Sequence, residues 1–87
     1  MRALDNIFRN ESTVISAGTT VEWRNAGRTE HDVIPVDPEQ SWGVSTTDFR
    51  PGAIYEHTFS QPGVYRYYCS IHGTANVGMI GTIEVTA

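Results

Sequence analysis

The sequence predicts an all-β domain, a sandwich or barrel of about seven to eight short strands. Apolar and polar residues alternate with the period of two that a half-buried strand requires, and stripes of helical period are almost absent. Turn dipeptides recur along the chain, at Ala17-Gly18, Ala26-Gly27, Pro51-Gly52 and Pro62-Gly63. The 87 residues make one small domain, residues 1–87. A chain of this size buries only about two thirds of its unfolded surface, so it folds without much margin.

Residues 2–6 and 11–17 are the first two expected strands. Thr19-Thr20-Val21-Glu22-Trp23-Arg24-Asn25 carries the clearest alternation, with Val21 and Trp23 inward and Glu22 and Arg24 outward. Trp23 reads as a core residue, since buried aromatics mostly serve packing. A loop over residues 25–30 follows, and His31 opens a strand over residues 31–36 that places His31 and Val33 on one face. Residues 37–50 form the longest connection, with room for one short helical turn and with Trp42 lying over the sandwich as cover. Residues 53–60 form a strand with Tyr55, His57 and Phe59 on one face. The Pro62-Gly63 turn leads into residues 64–69, with Tyr65, Tyr67 and Cys69 inward, and the last strand, residues 80–86, directs Ile83 and Val85 inward. Two sheets face to face would then collect Trp23, Val33, Phe59, Tyr65, Tyr67, Ile83 and Val85 in one core.

Ten acids against six bases leave a net charge of −4, and every base is arginine. The charges are scattered with no basic run, which argues against a nucleic-acid partner. The imbalance suits a soluble protein that meets a basic redox partner. No stretch approaches the length that spans a bilayer, so stable membrane insertion is not expected. The first residues, Met1-Arg2-Ala3-Leu4, are not followed by the apolar segment of a signal peptide. That pattern fits a leader already removed, a domain cut from a longer chain, or a cytosolic protein. One cysteine excludes a disulfide within the chain and leaves a bound metal as the remaining staple.

The chemistry concentrates in Tyr65-Arg66-Tyr67-Tyr68-Cys69-Ser70-Ile71-His72-Gly73-Thr74-Ala75-Asn76-Val77-Gly78-Met79. Cys69 stands where a core strand ends, His72 follows three residues later and Met79 seven beyond that. Thiolate, imidazole and thioether together suit copper, because soft sulfur favours Cu(I) and imidazole serves both oxidation states. A second imidazole must come from elsewhere, and His31, after a flexible loop, is the best candidate. Taken singly, Cys69 could be a small buried hydrophobe and Met79 core filler; together with His72 in a Gly-rich loop they read as a one-copper electron-transfer site. His57 lies mid-strand, away from the loops, and reads as structural. A cysteine nucleophile paired with histidine is the least supported alternative, because Cys69 points inward with no obvious substrate cleft.

This constellation resembles the plastocyanin-like cupredoxins. The resemblance covers Asp5-Asn6-Ile7-Phe8, Gly18-Thr19-Thr20-Val21-Glu22-Trp23, Glu30-His31-Asp32-Val33, Pro62-Gly63-Val64-Tyr65, Tyr68-Cys69-Ser70-Ile71-His72 and Gly78-Met79-Ile80-Gly81-Thr82. It implies a Greek-key sandwich and one type 1 copper per chain, bound by His31, Cys69, His72 and a weak axial Met79. It also implies single-electron shuttling with exit through His72, Tyr68 on a second electron path, a monomer, an extracytoplasmic or periplasmic location, and a transient redox partner such as a cytochrome, oxidase or reductase. Two departures stand out. Six residues separate His72 from Met79, more than in plastocyanin itself, and Asp32 stands where the family usually has Asn. Asp32 could still accept a hydrogen bond from Ser70 and so brace the two ligand loops. An enzyme is not expected, since only His57 is left over for a second copper centre. The alternatives are a domain of a copper nitrite reductase or multicopper oxidase, and a non-redox copper-binding module.

Overall fold

Alternation of side chains translates into two four-stranded sheets in a computed structural model that describes residues 1–5, 7–9 and 11–87. The strands are β1 (Arg2–Ala3), β2 (Phe8–Arg9), β3 (Ser12–Ser16), β4 (Thr19–Asn25), β5 (Ile34–Pro35), β6 (Ile54–Phe59), β7 (Gly63–Gly73) and β8 (Gly78–Thr86). One sheet runs β2-β1-β4-β6 and the other β3-β8-β7-β5. Every link from β2 to β7 crosses between the sheets; only β1–β2 and β7–β8 stay within one. The β1–β4 and β3–β8 pairs are parallel and the others antiparallel. The expected Greek-key sandwich is therefore the observed architecture.

The core forms where the inward faces meet. On β4, Val21, Trp23 and Asn25 are buried while Glu22 and Arg24 are exposed. The Trp23 ring lies between the sheets, with Trp42 stacked on it at 5.8 Å, Tyr55 at 5.4 Å, Tyr67 edge-on at 5.5 Å and Phe59 at 6.3 Å. Each such aromatic pair adds about 0.5–1.5 kcal/mol beyond the area it buries. Gly81 sits directly across from Tyr67, and any side chain there would overlap the phenol ring. Burial pushes the Tyr67 hydroxyl up to about 12. All seven residues expected in the core pack together, Tyr65 at its margin. Trp42 is the expected cover, only 8% exposed, and the one helical turn is the 3-10 segment Thr46–Asp48.

Strand ends depart from expectation where distant partners decide them. The first strand stops at Ala3, and the chain turns back through a Leu4 N–H to Ile7 carbonyl bond of 2.9 Å to make β2; the expected end at Asn6 lies outside the described residues. The second contracts to β3. The strand expected over residues 31–36 reduces to β5 and one bridge between Val33 and Val44. Pro35 has no N–H to extend a ladder, and the Asp32 side chain is committed elsewhere. In the opposite sense, β7 runs on to Gly73 and β8 begins at Gly78, so the expected ligand loop is the tip of a long hairpin. No helix is long and apolar enough to cross a membrane among the described residues.

Candidate metal centre

The hairpin holds its chemistry in a break of register. Tyr68 pairs with Ile80 and Gly73 with Gly78, so residues 69–72 of β7 stand against Met79 alone on β8. Extra residues on one strand bend it and re-aim its side chains. Cys69 and His72 occupy the two ends of that bulge, and Met79, fully buried, opposes it. Beyond it the arms come close. A Cβ on Gly78, whose φ is +91°, would stand 2.6 Å from the His72 carbonyl oxygen, so glycine is required on both conformational and steric grounds. The tip closes through a Thr74 N–H to Val77 carbonyl bond of 2.8 Å. Arg66, on the same strand, reaches over it and donates to the Ala75 carbonyl at 2.7 Å.

His31 arrives from the other sheet's side through two buried polar braces. The Asn25 side chain, 1% exposed, donates to the carbonyls of Thr29 at 3.0 Å and Phe49 at 2.8 Å and accepts from the Gly27 N–H at 3.1 Å. This shapes the loop that leads into His31. The neighbouring Asp32 accepts from the Ser70 N–H at 2.7 Å through Oδ1 and from the Ser70 hydroxyl through Oδ2. The bracing expected of Asp32 is thus present, and it ties the His31 segment to the residue after Cys69. His31 itself lies just before the Val33 bridge, outside any strand.

These elements bring His31, Cys69 and His72 together with one potential ligand atom from each, all within 4.8 Å of one another. His31 Nδ1 is 3.6 Å from Cys69 Sγ, and the two imidazoles lie 5.0 Å apart, centroid to centroid. Burial, reinforced by the neighbouring His72, holds His31 below the usual imidazole range; Asp5 and Asp32 offset this in part. A neutral ring keeps a lone pair on one nitrogen. Buried polar atoms normally have partners, yet His72 Nδ1 and His31 Nε2 have none within the chain. Leaving such a group unpaired costs about 1–3 kcal/mol. A cation between the sulfur and the two rings would engage the lone pairs of His72 and of His31 at Nδ1. The donor set of one thiolate, two imidazoles and a thioether on the opposing strand fits copper.

Of the sequence candidates, His31, Cys69 and His72 converge, and Met79 faces their bulge by register. His57 is elsewhere, on β6, stacked with Trp42 at 5.8 Å and edge-on to Phe59 at 4.7 Å. Asn25, whose side chain holds the loop leading to His31, is not singled out by the sequence. Its signal is an Asn preceding Ala26-Gly27, a position suited to side-chain capping of a turn. Cys69 and His31 are sealed from solvent, whereas the half-buried His72 ring lines an open cleft beside Ile71.

Residues 5–86 match the profile of the copper binding proteins, plastocyanin/azurin family. The chain belongs to this family. A plastocyanin from Prochlorothrix hollandica is 36% identical over 85 residues, an alignment covering 91% of this chain and 63% of that protein's length. The chain thus spans under two thirds of that relative. A purple cupredoxin from Nitrosopumilus maritimus superposes with a TM-score of 0.71 at 30% identity, over 86% of this chain and 77% of the other. A copper-containing nitrite reductase from Thermus scotoductus superposes at 0.75 with 31% identity, over 93% of this chain but only 20% of the reductase. Family membership makes copper the metal expected at the one such cluster among the described residues, one per chain.

Proposed function

We propose that residues 1–87 form a single cupredoxin domain that carries one electron at a time on a type 1 copper, which His31, Cys69, His72 and Met79 would hold. The convergence of His31, Cys69 and His72 within 4.8 Å carries this proposal. Copper would supply a one-electron couple that this mix of borderline and soft donors accommodates in both oxidation states. The chain's own residues keep the ligands still. Asp32 locks the His31 segment to Ser70, Asn25 shapes the loop before it, and the hairpin bulge aims Cys69 and His72. Little rearrangement then accompanies each transfer. Cys69 and His31 are shut away from water, so the His72 ring is the exit for the electron. The chain acts as a carrier without turnover of its own, as a monomer in an extracytoplasmic or periplasmic setting, and meets a cytochrome, oxidase or reductase transiently.

Reversible cycling tests this. Ascorbate should bleach the copper-loaded protein and ferricyanide restore its colour, at one electron per copper. A colour that does not respond to either reagent would contradict the proposal. A second reading, a domain of a larger copper enzyme, draws on the nitrite reductase likeness over 93% of this chain. Turnover of nitrite, or more than one tightly held copper per chain, would favour it.

A further inference from the structure

The cleft onto which the His72 ring opens is flanked by two guanidinium groups, Arg28 from the loop before His31 and Arg50 from the segment after the 3-10 turn. Both side chains are exposed. Among the described residues the one ion pair is Arg24 with Glu22, so neither cleft arginine is ion-paired. Of the other bases, Arg66 is held by the Ala75 carbonyl, and Arg2 and Arg9 sit opposite each other on β1 and β2. One acid, Glu30, lines the same cleft. Two further carboxylates lie near it and keep their charge: Asp5 accepts from the Arg28 backbone N–H at 2.7 Å, and the buried Asp32 is held by Ser70. The lining of the cleft therefore carries two positive charges against one negative, whereas the chain as a whole carries a net −4.

Electrostatic complementarity at an interface steers encounter and suppresses wrong orientations. A partner approaching within about 10 Å, the Debye length at 0.1 M salt, responds to the local groups more than to the total charge. We infer that the redox partner docks an acidic face on this cleft, its carboxylates against Arg28 and Arg50, Ile71 giving apolar contact, and the His72 ring edge at the centre. This inference rests on the proposed electron-carrier function and names its partner's chemistry; it reverses the basic partner that overall composition suggests. Transfer across the contact moves one electron, so what the partner loses the copper centre gains, with no bond made or broken.

Stopped-flow oxidation of the reduced, copper-loaded protein by anionic ferricyanide and by cationic tris(phenanthroline)cobalt(III) tests it. With ferricyanide the second-order rate should fall as sodium chloride is raised. In the Arg28→Gln/Arg50→Gln double variant it should drop about tenfold at low salt, within the range such steering spans. The cobalt reagent should react no more slowly with the double variant than with the parent. A ferricyanide rate that rises with salt, or that the double substitution leaves unchanged, would overturn the inference. Failure of the electron-carrier proposal would look different, because the colour would then be absent or would not respond to ascorbate, and no reduced protein would reach the kinetic measurement. Should the double variant fold poorly, the salt dependence of the unsubstituted protein decides between the two outcomes by itself.

Discussion

The candidate centre is delivered by two regions of opposite construction. The β7–β8 hairpin brings Cys69, His72 and Met79 from within one stretch of chain, using a bulge, close-approaching glycines and a tight tip. The His31 segment brings one candidate ligand from 38 residues before Cys69 and is held by buried polar side chains, Asn25 and Asp32. The hairpin is a local device whose failure should remove the chemistry. The His31 segment is a tertiary device whose failure should loosen the fold first and the chemistry second.

The sharpest break lies in the hairpin. Cys69→Ser should abolish the intense visible thiolate-to-copper absorption outright while leaving a folded sandwich, checked by visible absorption and circular dichroism on the same sample. A retained band would mean that the sulfur is not a ligand. Next in size, Asn25→Ala should destabilise the metal-free protein by about 2–3 kcal/mol in urea titrations, since it strips partners from buried backbone groups. An unchanged midpoint would show that the loop before His31 holds without its brace.

Subtler is Asp32→Asn, which keeps a hydrogen-bond acceptor for Ser70 but removes a buried negative charge beside the site. It should raise the midpoint potential by tens of millivolts, a tenfold change in relative affinity for the two oxidation states being about 59 mV for one electron. Voltammetry showing no shift would mean that the charge is not felt at the metal. Smallest of all, Arg66→Leu should alter the melting temperature little, because one exposed hydrogen bond is worth about 0.5–1.5 kcal/mol. It should still speed hydrogen exchange at the Thr74 amide, the closing bond of the hairpin tip. Equal exchange in the two proteins would leave Arg66 without a hold on the tip.

The same contrast explains what is legible in the sequence. Period-two alternation exposes β4, β6 and the inward faces of β7 and β8, because each side chain's face follows from its neighbours. Cys69, His72 and Met79 are close in sequence, so their chemistry can be read directly, and Asp32 can be matched to Ser70 by family resemblance. Asn25 is harder to read because its meaning depends on the Phe49 carbonyl, 24 residues away. The ends of the first strand and of the His31 strand differ from expectation for a similar reason: pairing across sheets, a turn back at Leu4 and the missing N–H of Pro35 set them. The bulge is invisible in sequence because register is a relation between two strands and leaves no mark on either alone.

Copper K-edge X-ray absorption of the loaded protein tests the metal centre most directly, since it reads the atoms around the metal without reference to function. One short sulfur and two nitrogen neighbours are expected, from Cys69, His31 and His72, with the Met79 sulfur distant and weak. A first shell of nitrogen and oxygen only, with no sulfur, would contradict it.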